Sequence, residues 1–180
     1  MVNVILKTIL AGDGGVGKTS LVRSFMNKKF SGDYKITIGV DVSSKSIMVN
    51  KNKITFSVND VAGQQRFSEI KDIFMKGAHL ALLVFDVTRK DTLTNLRKQW
   101  IEPMIEVCPN IFSILIGNKA DLDDLRVIER DDGLRLLELM RKVYPSMHMV
   151  EYIETSALQH KNVELAFETL GKAFLKANPT

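Results

Sequence analysis

Apolar positions along the chain fall into short runs whose period alternates between two and about three and a half residues. Val4 to Ala11 is apolar and β-branched and predicts a strand; a Gly-rich turn follows, then a helix over Lys18 to Asn27. Val40 to Val49 and Lys53 to Asn59 read as two strands joined by Asn50-Lys51-Asn52, a hairpin signal. Arg66 to Lys76 suits a helix, and Leu80 to Asp86 is a continuously apolar run of strand length. Asp91 to Val107 carries Leu93, Leu96, Trp100, Ile101 and Met104 at helical spacing. Ile111 to Gly117 is another buried strand. Asp131 to Val143 is helical, with Leu134, Leu137 and Met140 on one side. Val150 to Glu154 is a short strand, and Asn162 to Lys176 closes as an amphipathic helix on Val163, Ala166, Phe167, Leu170 and Phe174.

Apolar strands alternating with helices predict an α/β fold, a six-stranded mostly parallel sheet covered by helices on both faces. The hairpin adds one antiparallel edge strand. Ligands in such folds bind at the carboxyl ends of the strands. The loops after Ala11, Asn59, Gly117 and Glu154 are therefore expected to crowd one edge, and the unusual residues of the chain sit in those loops.

Composition narrows the class. A chain of 180 residues, 45% hydrophobic and 26% charged, is expected to form one domain over residues 1–180 and is not disordered. The longest aliphatic or aromatic run, Leu80 to Phe85, is far short of the ~20 residues that span a bilayer. A single cysteine, Cys108, rules out an intrachain disulfide and fits a reducing, cytoplasmic setting. The net charge is +4, but Lys28, Lys29, Lys35, Lys45, Lys51 and Lys53 are dispersed, so no nucleic-acid partner is expected. An anionic small molecule or an acidic partner fits the charge equally well. The histidines His79, His148 and His160 show no metal-ligand spacing.

Gly12-Asp13-Gly14-Gly15-Val16-Gly17-Lys18-Thr19 matches G-x-x-x-x-G-K-[ST] between a strand and a helix. Glycines let backbone N–H groups wrap a phosphate, and the helix start adds partial positive charge. Lys18 supplies a point charge to the outer phosphates, and the Thr19 hydroxyl is a ligand for Mg²⁺. This loop alone points to a nucleoside triphosphate without choosing the base.

Asp60-Val61-Ala62-Gly63-Gln64 follows the second hairpin strand. Asp60 can hold the metal's water shell, the Gly63 N–H can approach a terminal phosphate, and Gln64 can orient a water. Alone, the same residues would read equally well as a capping aspartate before a polar helix. Asn118-Lys119-Ala120-Asp121 follows the strand ending at Gly117. The Asp121 carboxylate can accept two hydrogen bonds from guanine N1–H and its exocyclic amine, which adenine does not offer. The Lys119 stem can lie over the base. In Thr155-Ser156-Ala157 a backbone N–H can meet guanine O6.

With these motifs in order, the chain resembles the Ras superfamily of small GTPases over nearly its whole length, and the Rab branch in particular. The residues that carry this are Thr37-Ile38-Gly39-Val40-Asp41, Asp60 to Phe67, Gly77-Ala78-His79, Leu83-Val84-Phe85-Asp86-Val87-Thr88 and Glu154-Thr155-Ser156-Ala157-Leu158. The resemblance implies a P-loop G domain acting as a GTP/GDP switch with Mg²⁺ held by Thr19, Thr37 and Asp60. Its nucleotide-binding residues would be Gly14, Gly15, Val16, Gly17, Lys18, Thr19, Ser20, Phe30, Tyr34, Thr37, Gly63, Asn118, Lys119, Asp121, Ser156, Ala157 and Leu158. Gln64 and Lys18 would be catalytic. Phe30 would pack edge-on against the base and Tyr34 would close over the phosphates.

Residues 31–45 and 61–76 would meet an exchange factor, a GTPase-activating protein and effectors, and the chain would be a monomer. Ser31 to Asp41 holds no arginine, which implies slow intrinsic turnover and a need for an activating partner. A guanine-nucleotide-dependent scaffold with negligible hydrolysis is the competing reading, opposed by the intact Lys18, Thr19, Thr37 and Gln64. The chain departs from the Rab pattern at Val42, usually aromatic, at Asn59, usually Trp, and at Gln65, usually acidic. It is also longer than usual between Leu125 and Met149, read as a longer helix or loop. It ends in Ala177-Asn178-Pro179-Thr180, so peripheral membrane association is expected only through a lipidated tail beyond these residues.

Overall fold

The computed structural model describes residues 3–28, 40–61, 73 and 75–179. Six strands form one sheet: β1 (Asn3–Ala11), β2 (Val40–Val49), β3 (Asn52–Val61), β4 (Leu80–Asp86), β5 (Phe112–Asn118) and β6 (His148–Glu154). Their order is β2-β3-β1-β4-β5-β6. Only β2 runs antiparallel to its neighbour, as the hairpin predicts. Five α-helices are described: α1 (Lys18–Phe25), α2 (Lys90–Leu96), α3 (Glu102–Val107), α4 (Arg130–Val143) and α5 (Val163–Ala177). None is long and apolar enough to cross a membrane.

Strand alternation splits the interior into two cores. On one face Leu6, Leu10, Ile54 and Phe56 pack under α1 and α5. Phe25 of α1 stacks on Phe167 of α5 with centroids 3.7 Å apart. Phe56 meets both rings edge-on, at 5.7 and 5.4 Å. Truncating any of these rings to alanine would cost ~3–5 kcal/mol. On the other face Ile9, Leu83, Phe85, Leu115 and Tyr152 pack under Trp100, Met104 and Met140. Strand β4 is buried along its whole length, the signature of a central parallel strand.

The hairpin is tighter than expected. Val49 pairs with Asn52, leaving only Asn50 and Lys51 in the turn. Both have positive φ, 48° and 65°, which is the two-residue turn that follows the twist of its strands. Strand β6 begins at His148, two residues ahead of the expected start. The stretch between Leu125 and Met149 contains α4, which starts at a reciprocal capping pair between Glu129 and Asp132.

The single helix expected over Asp91 to Val107 is interrupted by a π-turn, Arg97–Ile101, between α2 and α3. The sequence supplies a reason. Pro103 has no N–H, so a regular ladder would leave the Gln99 carbonyl without its donor. The turn ahead of it widens, and the Glu102 N–H donates to Arg97 O, five residues back. Cys108 caps the end of α3, its buried thiol donating to Met75 O at 2.9 Å. The helix expected over Arg66 to Lys76 falls almost wholly outside the described residues.

Candidate nucleotide-binding site

Strand β1 hands the chain directly to the loop 12–17 and then to α1. Gly12 and Gly17 are required there by geometry. A Cβ on Gly12 would lie 2.1 Å from Val84 O, and one on Gly17 would lie 2.3 Å from Asn118 Nδ2. Gly17 also sits at φ 97°, in the left-handed region, where it begins α1. Ser20 follows in the first turn. Lys18 is buried, and its ammonium donates to Gly12 O at 2.7 Å and to Asp13 O at 2.9 Å. A cation is thus tethered by carbonyls of the loop itself, beside a helix N-terminus that favours anions.

Thr19 Oγ1 donates to Asp60 Oδ2. Asp60 is 2% exposed, and its Oδ1 has no hydrogen-bond partner among the described residues. Burial pushes this carboxyl above its ordinary value; the Thr19 hydrogen bond and the Lys18 charge pull it back in part. A hydroxyl paired with a buried carboxylate that keeps one orphaned oxygen fits a small, hard divalent cation, and Mg²⁺ suits this donor set. Among the described residues no cluster of three His, Cys, Asp or Glu side chains offers another metal site.

Asn118, 1% exposed at the end of β5, joins three loops. Its Nδ2 donates to Val16 O at 2.9 Å. Its Oδ1 accepts from Thr155 Oγ1 at 3.0 Å and from the Ala157 N–H at 3.4 Å. Next to it, Lys119 adopts φ 66°, and its ammonium lies 2.6 Å from Asp86 Oδ2 at the end of β4. Ala120 N donates to Thr155 O at 3.0 Å, which sets the 118–121 loop against the 155–158 loop. Asp121 is half-buried, Ser156 and Ala157 are buried, and Leu158 is exposed. Ser156 forms an isolated bridge with Lys161.

Residue spacing alone does not reveal a second brace. Arg126 donates to both carboxylate oxygens of Glu154, at 2.9 and 3.2 Å, and Tyr152 Oη donates to Glu154 Oε1 at 3.0 Å. This forked contact ties the segment after Asp121 to the strand end before Thr155. Only a proximity in space, 28 residues apart in sequence, makes it visible.

The structure therefore gathers Gly14, Gly15, Val16, Gly17, Lys18, Thr19, Ser20, Asp60, Asn118, Lys119, Asp121, Ser156, Ala157 and Leu158 on the loops that leave one edge of the sheet or on the strand and helix ends beside them. Phe30, Tyr34, Thr37, Gly63 and Gln64 lie outside the described residues. The two departures at Val42 and Asn59 stand opposite each other across β2 and β3. Val42 is exposed, whereas Asn59 is buried and donates to Ser57 O at 3.2 Å and to Thr8 O at 3.4 Å.

A phosphate loop between the first strand and first helix, on a sheet of this order, defines the class as a P-loop nucleoside-triphosphate-binding protein. The Ras family profile matches residues 7–176. The chain is 38% identical over 177 residues to Ras-related protein Rab-7a of Dictyostelium discoideum, covering 96% of this chain and 84% of that protein. It is 37% identical over 176 residues to Ras-related protein Rab7 of Drosophila melanogaster, covering 96% and 81%. The chain belongs to the Ras family, with Rab-like character: it is a small GTPase, a GTP hydrolase that works as a GTP/GDP switch.

Proposed function

We propose that residues 1–180 form one G domain, a monomer, that cages GTP and Mg²⁺ at this edge and serves a Rab-like regulatory role in membrane traffic. The observation that carries the reading is Asn118, which fastens the phosphate loop to both loops suited to the base. Backbone N–H groups of Gly14, Gly15, Val16 and Gly17 hold the phosphates, and Lys18 stabilises the charge that builds on the β–γ bridging oxygen as that bond breaks. Thr19, Thr37 and Asp60 hold the Mg²⁺. When bound, this ion neutralises charge on the β- and γ-phosphates. Gln64 orients the water that attacks the γ-phosphorus, giving GDP and inorganic phosphate. Tyr34 closes over the phosphates, while Gly63 and Thr37 sense the γ-phosphate and hold residues 31–45 and 61–76 for effectors until hydrolysis releases them.

Asp121 selects guanine, Lys119 and Phe30 flank the base, and Ser156, Ala157 and Leu158 complete its rim. With no arginine in Ser31 to Asp41, turnover is slow until a partner supplies one, worth about 10³ to 10⁵ in rate. An exchange factor reloads the site. Any membrane contact is peripheral and depends on a lipidated tail.

The test is the nucleotide released on denaturing purified protein, followed by timed phosphate release. The expected result is a guanine nucleotide, retained only with Mg²⁺ present. Asp121→Asn should move the preference from guanine to xanthine nucleotides, and unchanged guanine selectivity would refute the role given to Asp121.

A further inference from the structure

Asp13 is a freely variable position in the phosphate-loop pattern, yet both of its carboxylate oxygens are engaged. Trp100 Nε1 donates to Oδ1 at 2.9 Å, and Asn95 Nδ2 donates to Oδ2 at 2.7 Å. The carbonyl of the same residue receives the Lys18 ammonium. That ammonium also lies 5.7 Å from the centroid of the Trp100 ring, and Trp100 is 1% exposed. One residue on, Gly14 O accepts from Arg89 Nη1 at 3.0 Å.

Asn95 and Trp100 are five positions apart. In a regular α-helix five residues rotate ~500°, which leaves the two side chains ~140° apart and unable to serve one carboxylate. The π-turn Arg97–Ile101 removes that mismatch. Its wider i→i+5 turn between the two residues reduces that separation, and both side chains reach the one carboxylate. The helix thus gives up its regular hydrogen-bond register at the place where two donors must converge on the loop.

We infer that Asn95 and Trp100 are positioning residues for phosphate binding, acting through Asp13: they clamp the phosphate loop in its receiving shape and fix where Lys18 points. Removing either donor strands a carboxylate oxygen that is then free to pull the loop and the Lys18 anchor out of place. The inference rests on the reading of this loop as the phosphate site.

The experiment measures release of a fluorescent GDP analogue, in Mg²⁺, from the wild type, Trp100→Phe, Asn95→Ala, Asp13→Ala and the double variant Asp13→Ala/Trp100→Phe. Trp100→Phe keeps an aromatic ring in the core but removes the N–H donor along with part of the indole's volume; thermal unfolding of each variant checks that it folds, and the double variant separates the lost donor from the lost packing. Each single variant should release GDP about tenfold faster, and Trp100→Phe should add less than about twofold once Asp13 is alanine. Wild-type release rates in the single variants would overturn the clamp. So would a full additional effect of Trp100→Phe in the Asp13→Ala background, which would make Trp100 a packing residue only. A wild type that retains no GDP would overturn the nucleotide reading, and the clamp with it.

Discussion

Replacing Asn118 by alanine removes three hydrogen bonds at once, and their geometry sets the size of the effect. The bonds to Val16 O and from Thr155 Oγ1 are 2.9 and 3.0 Å long, and the one from the Ala157 N–H is 3.4 Å. Each is worth ~1 kcal/mol net, the longest somewhat less. Alanine also leaves three groups on the two neighbouring loops without this partner, which adds ~1 kcal/mol or more. The expected loss is therefore ~4 kcal/mol. For a chain of this size that corresponds to a fall in Tm of ~10 °C. Thr155→Val provides an internal scale, since it keeps the side-chain volume and removes a single bond; its expected loss is ~1 kcal/mol, or ~3 °C. Thermal unfolding followed by circular dichroism at two GDP concentrations separates the effects. The shift between concentrations reports affinity, and the remainder reports intrinsic stability. An Asn118→Ala loss no larger than that of Thr155→Val would refute the view that one side chain joins three loops.

Gly17→Ala should abolish GDP retention while leaving the circular dichroism spectrum near wild type, because the new Cβ would sit 2.3 Å from Asn118 Nδ2 on a backbone at φ 97°; retained GDP would show that the loop yields. Gln64→Leu should slow single-turnover hydrolysis without weakening GTP binding, and an unchanged rate would remove Gln64 from the chemistry. Tyr152 provides a pH dependence. Burial raises the pKa of its hydroxyl above the ordinary tyrosine value, with the Glu154 carboxylate adding to the rise. Above about pH 10 the unfolded chain loses this proton first, so the unfolded state binds fewer protons and stability falls as pH rises, by up to ~1.4 kcal/mol per pH unit. Stability against denaturant measured from pH 9 to 11 should show this decline in the wild type and a shallower one in Tyr152→Phe. Parallel slopes would refute it.

The parts of the site that are legible in the sequence are those built from neighbours in the chain. The spacing of Gly12 to Thr19 between an apolar run and an amphipathic one places a phosphate loop because a loop of that length must turn from strand to helix. The strand ends at Asp60, Asn118 and Glu154 are equally readable, since a mostly parallel sheet brings the carboxyl ends of its strands to one side. The interruption after Leu96 is less so: Leu93, Leu96, Trp100 and Ile101 keep a plausible helical pattern, and Pro103 marks only that some turn nearby must lose a donor.

The sequence by itself determined the period of each element, the alternation that makes the sheet parallel, the one antiparallel edge and the chemistry on each loop. Only the tertiary structure decided which of those loops are bolted together. The Asn118 contact to Val16 spans 102 positions and the Trp100 contact to Asp13 spans 87. The physical reason is that periodicity and motif spacing encode forces acting over a few residues. A hydrogen bond between distant residues exists only after strand order, register and helix rotation have carried its two ends to the same point.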